Sequence, residues 1–207
     1  LMNTLWTTQR LLCDIEDFAL VLGGAWFNNP EADTAATVES FVKMEFGISR
    51  AGRVASKILK LCATVPPGRD VFLRMLGTLP ARCGKNWHPT EFETIQADDL
   101  AGKTAKLGRF FKQTSSRVRK NRKKFDNFLL ACDIIGWACR LYIACLRGLS
   151  GPKKRKLHTE GKNLLQRILK DWDRRRYRRS ENKPAYYEDL ANTLVQNVQK
   201  AVNRLSG

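Results

Sequence analysis

The sequence holds two histidines, His88 and His158, and neither stands at metal-ligand spacing from a cysteine or from the other. A zinc site would need a convergence in space that nothing along the chain signals. The acidic pairs Asp98–Asp99 and Glu188–Asp189 could hold magnesium, but a helix start or an exposed helix face puts carboxylates at such places in any case. No glycine-rich loop followed by Lys-Ser or Lys-Thr occurs, and "GGAWF" at residues 23–27 does not make a phosphate cradle. The expectation is a protein without catalytic residues, metal or cofactor, and not an enzyme.

Binding chemistry is better supplied. The chain carries 37 Lys+Arg against 20 Asp+Glu, a formal net charge of +17. The distribution says more than the total. Residues 1–103 hold 11 cations and 12 anions, so the remaining 26 and 8 leave the second half at +18. Three runs carry much of it: "SSRVRKNRKK" (Ser115–Lys124), "GPKKRK" (Gly151–Lys156) and "DRRRYRR" (Asp173–Arg179). Like charges this dense repel one another, and salt hides only part of the cost. One such run could be a solubilising face, the weaker of its two readings; three in one half point to a polyanion, with nucleic acid ahead of an anionic membrane surface.

Aromatic placement separates backbone recognition from base recognition. A single-strand stacker needs exposed rings beside its cations. Phe125, Phe128, Trp137 and Trp172 fall on apolar helical stripes and read as core; Tyr177, inside "RRRYRR", is the one candidate stacker. Contacts to phosphate with little sequence choice are therefore expected.

These side chains need helices to position them. Leu12, Ile15, Phe18, Ala19 and Leu22 repeat at helical spacing until Gly23–Gly24 stops the pattern. Asp33 or Thr34 can cap a second helix carrying Val38, Phe41, Val42, Glu45 and Phe46, and "SRAGRVASKILKLCATV" continues helically to Pro66–Gly68. "RDVFLRMLGTLP" predicts a short helix that Pro80 ends. Residues 81–103 show no strong period and read as a connection. Leu107, Phe110 and Phe111 precede the first basic run, and Phe125, Phe128, Leu129, Cys132, Ile135, Cys139, Tyr142, Ile143 and Leu146 repeat after it. "SGPKKRK" reads as a basic loop; Leu165, Ile168, Leu169 and Trp172 form one further stripe, and Tyr187, Leu190, Leu194, Val198, Ala201 and Leu205 another. No segment alternates at period two.

The fold class is therefore all-α, a helical bundle, with two small sub-bundles joined near residues 80–100 as one arrangement. The organisation is a near-neutral helical region over 1–80, a connection over 81–103 and a basic helical region over 104–207. Six cysteines (Cys13, Cys62, Cys83, Cys132, Cys139, Cys145) form no CxxC pair, and four sit among apolar residues, which predicts buried thiols of a reducing compartment. Arg140 interrupts the longest apolar stretch, and no signal peptide opens the chain. A cytoplasmic protein without a membrane partner is the expectation.

Three stretches, in order, resemble one family. "VFLRMLGTLPARCGKN" (Val71–Asn86), "KLGRFFKQTSSRVRKNRKKFDNFLLA" (Lys106–Ala131) and "LLQRILKDWDRRRYRRSENKPAYYEDLA" (Leu164–Ala191) are similar to CasB, the small subunit of the type I-E CRISPR Cascade complex. The similarity covers roughly residues 55–195. "LGRFF" departs from the small residues usual after Leu-Gly-Arg, and "RKKF" lacks the family's acid. The resemblance implies a noncatalytic subunit, present in two or more copies, that touches other Cascade subunits. It also implies crRNA and the target and displaced DNA strands of an R-loop as partners, where modest phosphate contacts can tip a nearly balanced strand exchange. A stand-alone RNA-binding or ribosome-associated protein is the alternative that the same charge pattern permits.

On these grounds the candidate phosphate contacts are Arg74, Lys85, Arg109, Arg117, Arg119, Arg122, Lys123 and Lys124. A second track comprises Lys153, Lys154, Arg155 and Lys156 with Arg174, Arg175, Arg176, Arg178 and Arg179.

Overall fold

The structure, a computed structural model, describes residues 21, 23–64, 91–175 and 186–206, with side chains described at 21, 23–63, 97–170 and 195–206. Among the described residues, a helical segment at 23–28 is followed by six helices: α1 (Thr34–Phe46), α2 (Ala51–Thr64), α3 (Glu91–Ser115), α4 (Arg122–Leu146), α5 (Gly151–Arg175) and α6 (Tyr186–Ser206). No strand occurs among the described residues, and the expected all-α class is what is found. "RDVFLRMLGTLP" and residues 1–20 lie outside the described part.

Local chemistry sets the first helix. The Asp33 carboxylate accepts from the Ala35 and Ala36 amides at 2.7 and 3.2 Å, satisfying donors that a helix start leaves orphaned. At the other end Gly47 takes φ +63° and returns its N–H to the Lys43 carbonyl. A Cβ at Gly47 would also lie 3.1 Å from the Arg119 Cβ, so glycine serves both the left-handed turn and a close approach.

α3, α4 and α5 each run for 25 residues, about 37 Å. Their contacts show a steady register. Gly108 faces Cys132 and Gly136 faces Thr104, so α3 and α4 are antiparallel. Asp133 meets Arg167, Arg140 meets Glu160, and the Trp137 indole donates to the Leu157 carbonyl at 3.0 Å, so α4 and α5 are antiparallel too. The end of α5 therefore lies level with the start of α4. Continuing the same way, Val202 of α6 meets α5 at Gly161.

The buried side chains form one connected cluster fed by all six helices. At its centre Phe46 (α1), Phe111 (α3), Phe125 and Phe128 (α4) are all fully buried, with ring centroids 5.3–6.0 Å apart, mostly edge to face. A second centre is Trp137, over which Gly161 lets α5 close: a Cβ there would stand 2.6 Å from the indole.

Several expectations are corrected. Residues 23–28 are helical, so Gly23–Gly24 does not stop that helix. Residues 91–103, read as connection, belong to α3, and the 103/104 boundary falls inside it. Ahead of Leu107 its buried face is Ala97 and Thr104, with Gly108 beside it, small or hydroxylated side chains that carry little hydropathy signal. Thr104 and Thr114 fit because each hydroxyl bonds back to the carbonyl four residues earlier. "SGPKKRK" is not a loop, since α5 starts at Gly151 and Pro152 falls in the first turn, where its missing N–H has no partner to lose. Leu169 is 38% exposed rather than core. Cys132 and Cys139 are buried thiols and Cys62 is a half-buried one, whereas Cys145 is disulfide-bonded. α4 is long and apolar enough to cross a membrane, but 67% of its most apolar window is packed inside the protein.

Phe128→Ala should cost about 3–5 kcal/mol, since it opens a cavity among three other rings. In a chain this long that lowers the thermal midpoint by roughly 6–20 °C. Gly161→Ala should cost about 1–3 kcal/mol by overpacking against a ring that cannot retreat. Chemical denaturation of each variant checks both figures. Burial pushes the Cys132 and Cys139 thiols up to about 12. The unfolded chain then loses these protons first, so stability should fall as pH rises above about 9. Neither thiol should be alkylated by iodoacetamide at pH 8 until the protein is unfolded, as peptide mapping would show.

Candidate nucleic-acid interface

The turn between α3 and α4, residues 116–121, is built onto the C-terminal end of α1. The Arg119 and Lys120 amides both donate to the Phe46 carbonyl, at 3.1 and 3.2 Å. The Asn121 amide group donates to the Glu45 carbonyl at 3.2 Å and to its carboxylate at 3.0 Å. Arg117 and Val118 amides return to the carbonyls of Thr114 and Ser115, closing the last turn of α3. Val118 is buried beneath the turn. Asn121 itself stands at φ +47°, the one positive-φ residue other than glycine among those described. The backbone carrying the first basic run is thus fixed at both ends and in the middle.

On that backbone Arg117, Arg119, Lys120, Arg122 and Lys123 are exposed, and none has an ion-pair partner among the described residues. Lys120 belongs with the others although the candidate set omitted it. Arg122 donates through Nε to the Ser115 hydroxyl at 3.3 Å, and that hydroxyl donates to Asp126 at 2.5 Å. Lys124 differs from its neighbours. Its ammonium lies 3.1 Å from the Glu45 carboxylate and 5.9 Å from the centre of the Phe41 ring, so it serves the α1–α4 joint. Among the described side chains at this end, the carboxylates Glu45 and Asp126 are both engaged. α4 starts without an acidic residue in its first turn, against the usual preference at a helix N-terminus.

The other candidates scatter. Arg109 is exposed on α3 beside Lys112, above a shallow groove of about 240 Å³ between α3 and α4 that Thr104, Gly108, Cys132 and Gly136 also line. Lys153, Arg155 and Lys156 are exposed and Lys154 half-buried, all in the first two turns of α5. Arg174 and Arg175 lie in the last turn of α5, about 30 Å along the same helix. The antiparallel register sets them level with the start of α4. The described parts of the expected second track, 153–156 and 174–175, thus stand at opposite ends of one helix. Arg74, Lys85, Arg176, Arg178 and Arg179 lie outside the described residues, as does Tyr177, and the side chains of Trp172, Arg174 and Arg175 are not described.

No group of three His, Cys, Asp or Glu side chains able to hold a metal occurs among the described residues. No known protein family matches the chain, and neither a curated protein nor a solved structure does. The CasB resemblance rests on the quoted stretches alone.

Asn121 offers a check on how firmly the turn is held. Asn121→Ala loses both bonds to Glu45 and keeps a left-handed backbone, and should cost about 1–2 kcal/mol. Asn121→Gly loses the same bonds without the backbone strain and should cost less. Urea denaturation distinguishes them; an equal cost would mean that the turn relaxes out of this conformation.

Proposed function

We infer that this chain is a noncatalytic nucleic-acid-binding protein that grips a phosphodiester backbone where α1 and α3 end and α4 begins. The observation that carries this is the set of five exposed cations on the fixed 117–123 backbone that have no ion-pair partner among the described residues, where the described carboxylates Glu45 and Asp126 are already engaged. A solubilising surface needs only net charge, and a solvated loop would deliver it; here the backbone is pre-organised, which lowers the entropy lost when a ligand is held. The start of α4 adds a helix dipole whose positive end favours phosphate in the same place. The buried Phe111, Phe125 and Phe128 take no part in stacking, so recognition is of charge and shape rather than of bases.

Within that class, the three stretches similar to CasB favour a place as the small subunit of a CRISPR RNA-guided surveillance complex. There the cations would stabilise crRNA and target or displaced DNA in the R-loop. The nucleic acid that co-purifies with native protein tests this finer reading: a defined short guide supports it, and ribosomal RNA favours the stand-alone RNA-binding alternative.

The coarser reading is tested by anisotropy with fluorescent 20-mer single-stranded DNA and RNA across a salt series. Five phosphate contacts predict a log–log salt slope near −3.5. Changing Arg117, Arg119, Lys120, Arg122 and Lys123 together to Gln should remove most of that slope, while each exposed substitution changes stability by less than about 0.5 kcal/mol. Salt-independent binding, or a variant that binds as the wild type does, would overturn the reading.

A further inference from the structure

A second basic surface lies in the half of the chain whose net charge is near zero. Arg50, just before α2, and Arg53, Lys57 and Lys60 along it recur at steps of three, four and three residues, and so form one row on one helix face. The row is regular, with charges about 4.5–6 Å apart along the axis. α2 contains no carboxylate, and no Asp or Glu occurs from Phe46 to Arg69. α2 packs against α3, whose residues from Leu100 to Ser115 are equally free of acid. The contact between the two rows is explicit: the Arg53 guanidinium and the Lys57 ammonium both lie over the half-buried Phe110 ring, 5.5 and 5.8 Å from its centre. Lys106, exposed, stands one turn before Phe110 on the same stripe of α3.

Two cations drawn over one ring repel each other, and at i, i+4 spacing like charges weaken a helix. One cation would satisfy the ring quadrupole. No carboxylate among the described residues pairs with either Arg53 or Lys57. The arrangement is relieved by an external anion placed between them.

We propose that the α2–α3 ledge, centred on Arg53, Lys57, Lys60 and Lys106 around Phe110, is a track for a single nucleic-acid strand. The regular, acid-free rows fit a regularly charged polymer. A protein partner fits poorly, because lysine is depleted at the centres of protein interfaces, and the Glu39 carboxylate that meets α2 lies against Gly52 rather than in the row of cations. An anionic membrane fits poorly too, since the only aromatic on the ledge is covered by its own cations rather than presented. Gln113 carries the Phe110 stripe to the last turn of α3, and the turn bearing Arg117 begins where that helix ends, so the ledge leads toward the 117–123 cations. The proposal rests on the nucleic-acid reading of that site and extends the bound strand into the N-terminal half.

Acetylation of the unmodified protein by an N-hydroxysuccinimide ester, mapped residue by residue with and without U20 or dT20, separates the two claims. Protection of Lys57, Lys60 and Lys106 together with Lys120 and Lys123 is the expected result. Protection of Lys120 and Lys123 alone overturns the ledge and leaves the first site standing, while protection of none overturns both. The triple variant Arg53→Gln, Lys57→Gln, Lys60→Gln should lower the salt slope for U20 and dT20 by about 2. A variant with wild-type slope and a lowered thermal midpoint would show that the row only covers Phe110, and a loss confined to a 20-base-pair duplex would exclude the single strand.

Discussion

Four phenylalanine rings that touch at one point hold the molecule in its working shape. Phe46, Phe111, Phe125 and Phe128 come from three helices, and their edge-to-face packing fixes where α1 ends relative to where α3 ends and α4 begins. Everything polar at that end follows. Once Phe46 is seated, its carbonyl is where the amides of Arg119 and Lys120 find it, Glu45 meets Asn121 and Lys124, and Arg117, Arg119, Lys120 and Lys123 stand exposed with no ion-pair partner among the described residues. The apolar cluster thus sets the electrostatics of the surface above it. Such rings add about 0.5–1.5 kcal/mol per pair beyond the area they bury, and here that energy is spent on orienting a turn.

Large apolar side chains at helical spacing made α1 and α4 legible in the sequence. α3 was half legible for the opposite reason. Its first turns bury alanine, threonine and glycine against α4, and a threonine hydroxyl that bonds back to its own helix looks polar in sequence while behaving as filler in the structure. The start of α5 misled because Gly-Pro followed by four cations has the composition of a loop, although the first turn of a helix accepts both Pro152 and charge.

The candidate interface was legible as charge and illegible as geometry. The run from Arg117 to Lys124 could be seen, but not that Lys124 is claimed by Glu45, 79 positions earlier in the chain. Residues 153–156 and 174–175 looked like one group because they share a sign; a 25-residue helix keeps them apart. The α2 row was hidden by averaging, since acids elsewhere in the first half cancel its charge on paper and do not lie near it on the same helix.

The bond from Asn121 to Glu45 spans 76 positions. The hairpins α3–α4 and α4–α5 close through short connections and can form early, because little chain entropy is lost in closing them. The docking of α1 is the long-range event, and it alone puts Phe46 under the turn. A nascent or partly unfolded chain would therefore carry the same cations on an unanchored segment, attracted to any polyanion but without a fixed arrangement to offer it. On the proposed reading, the arrangement that would distinguish one polyanion from another depends on the docking of α1.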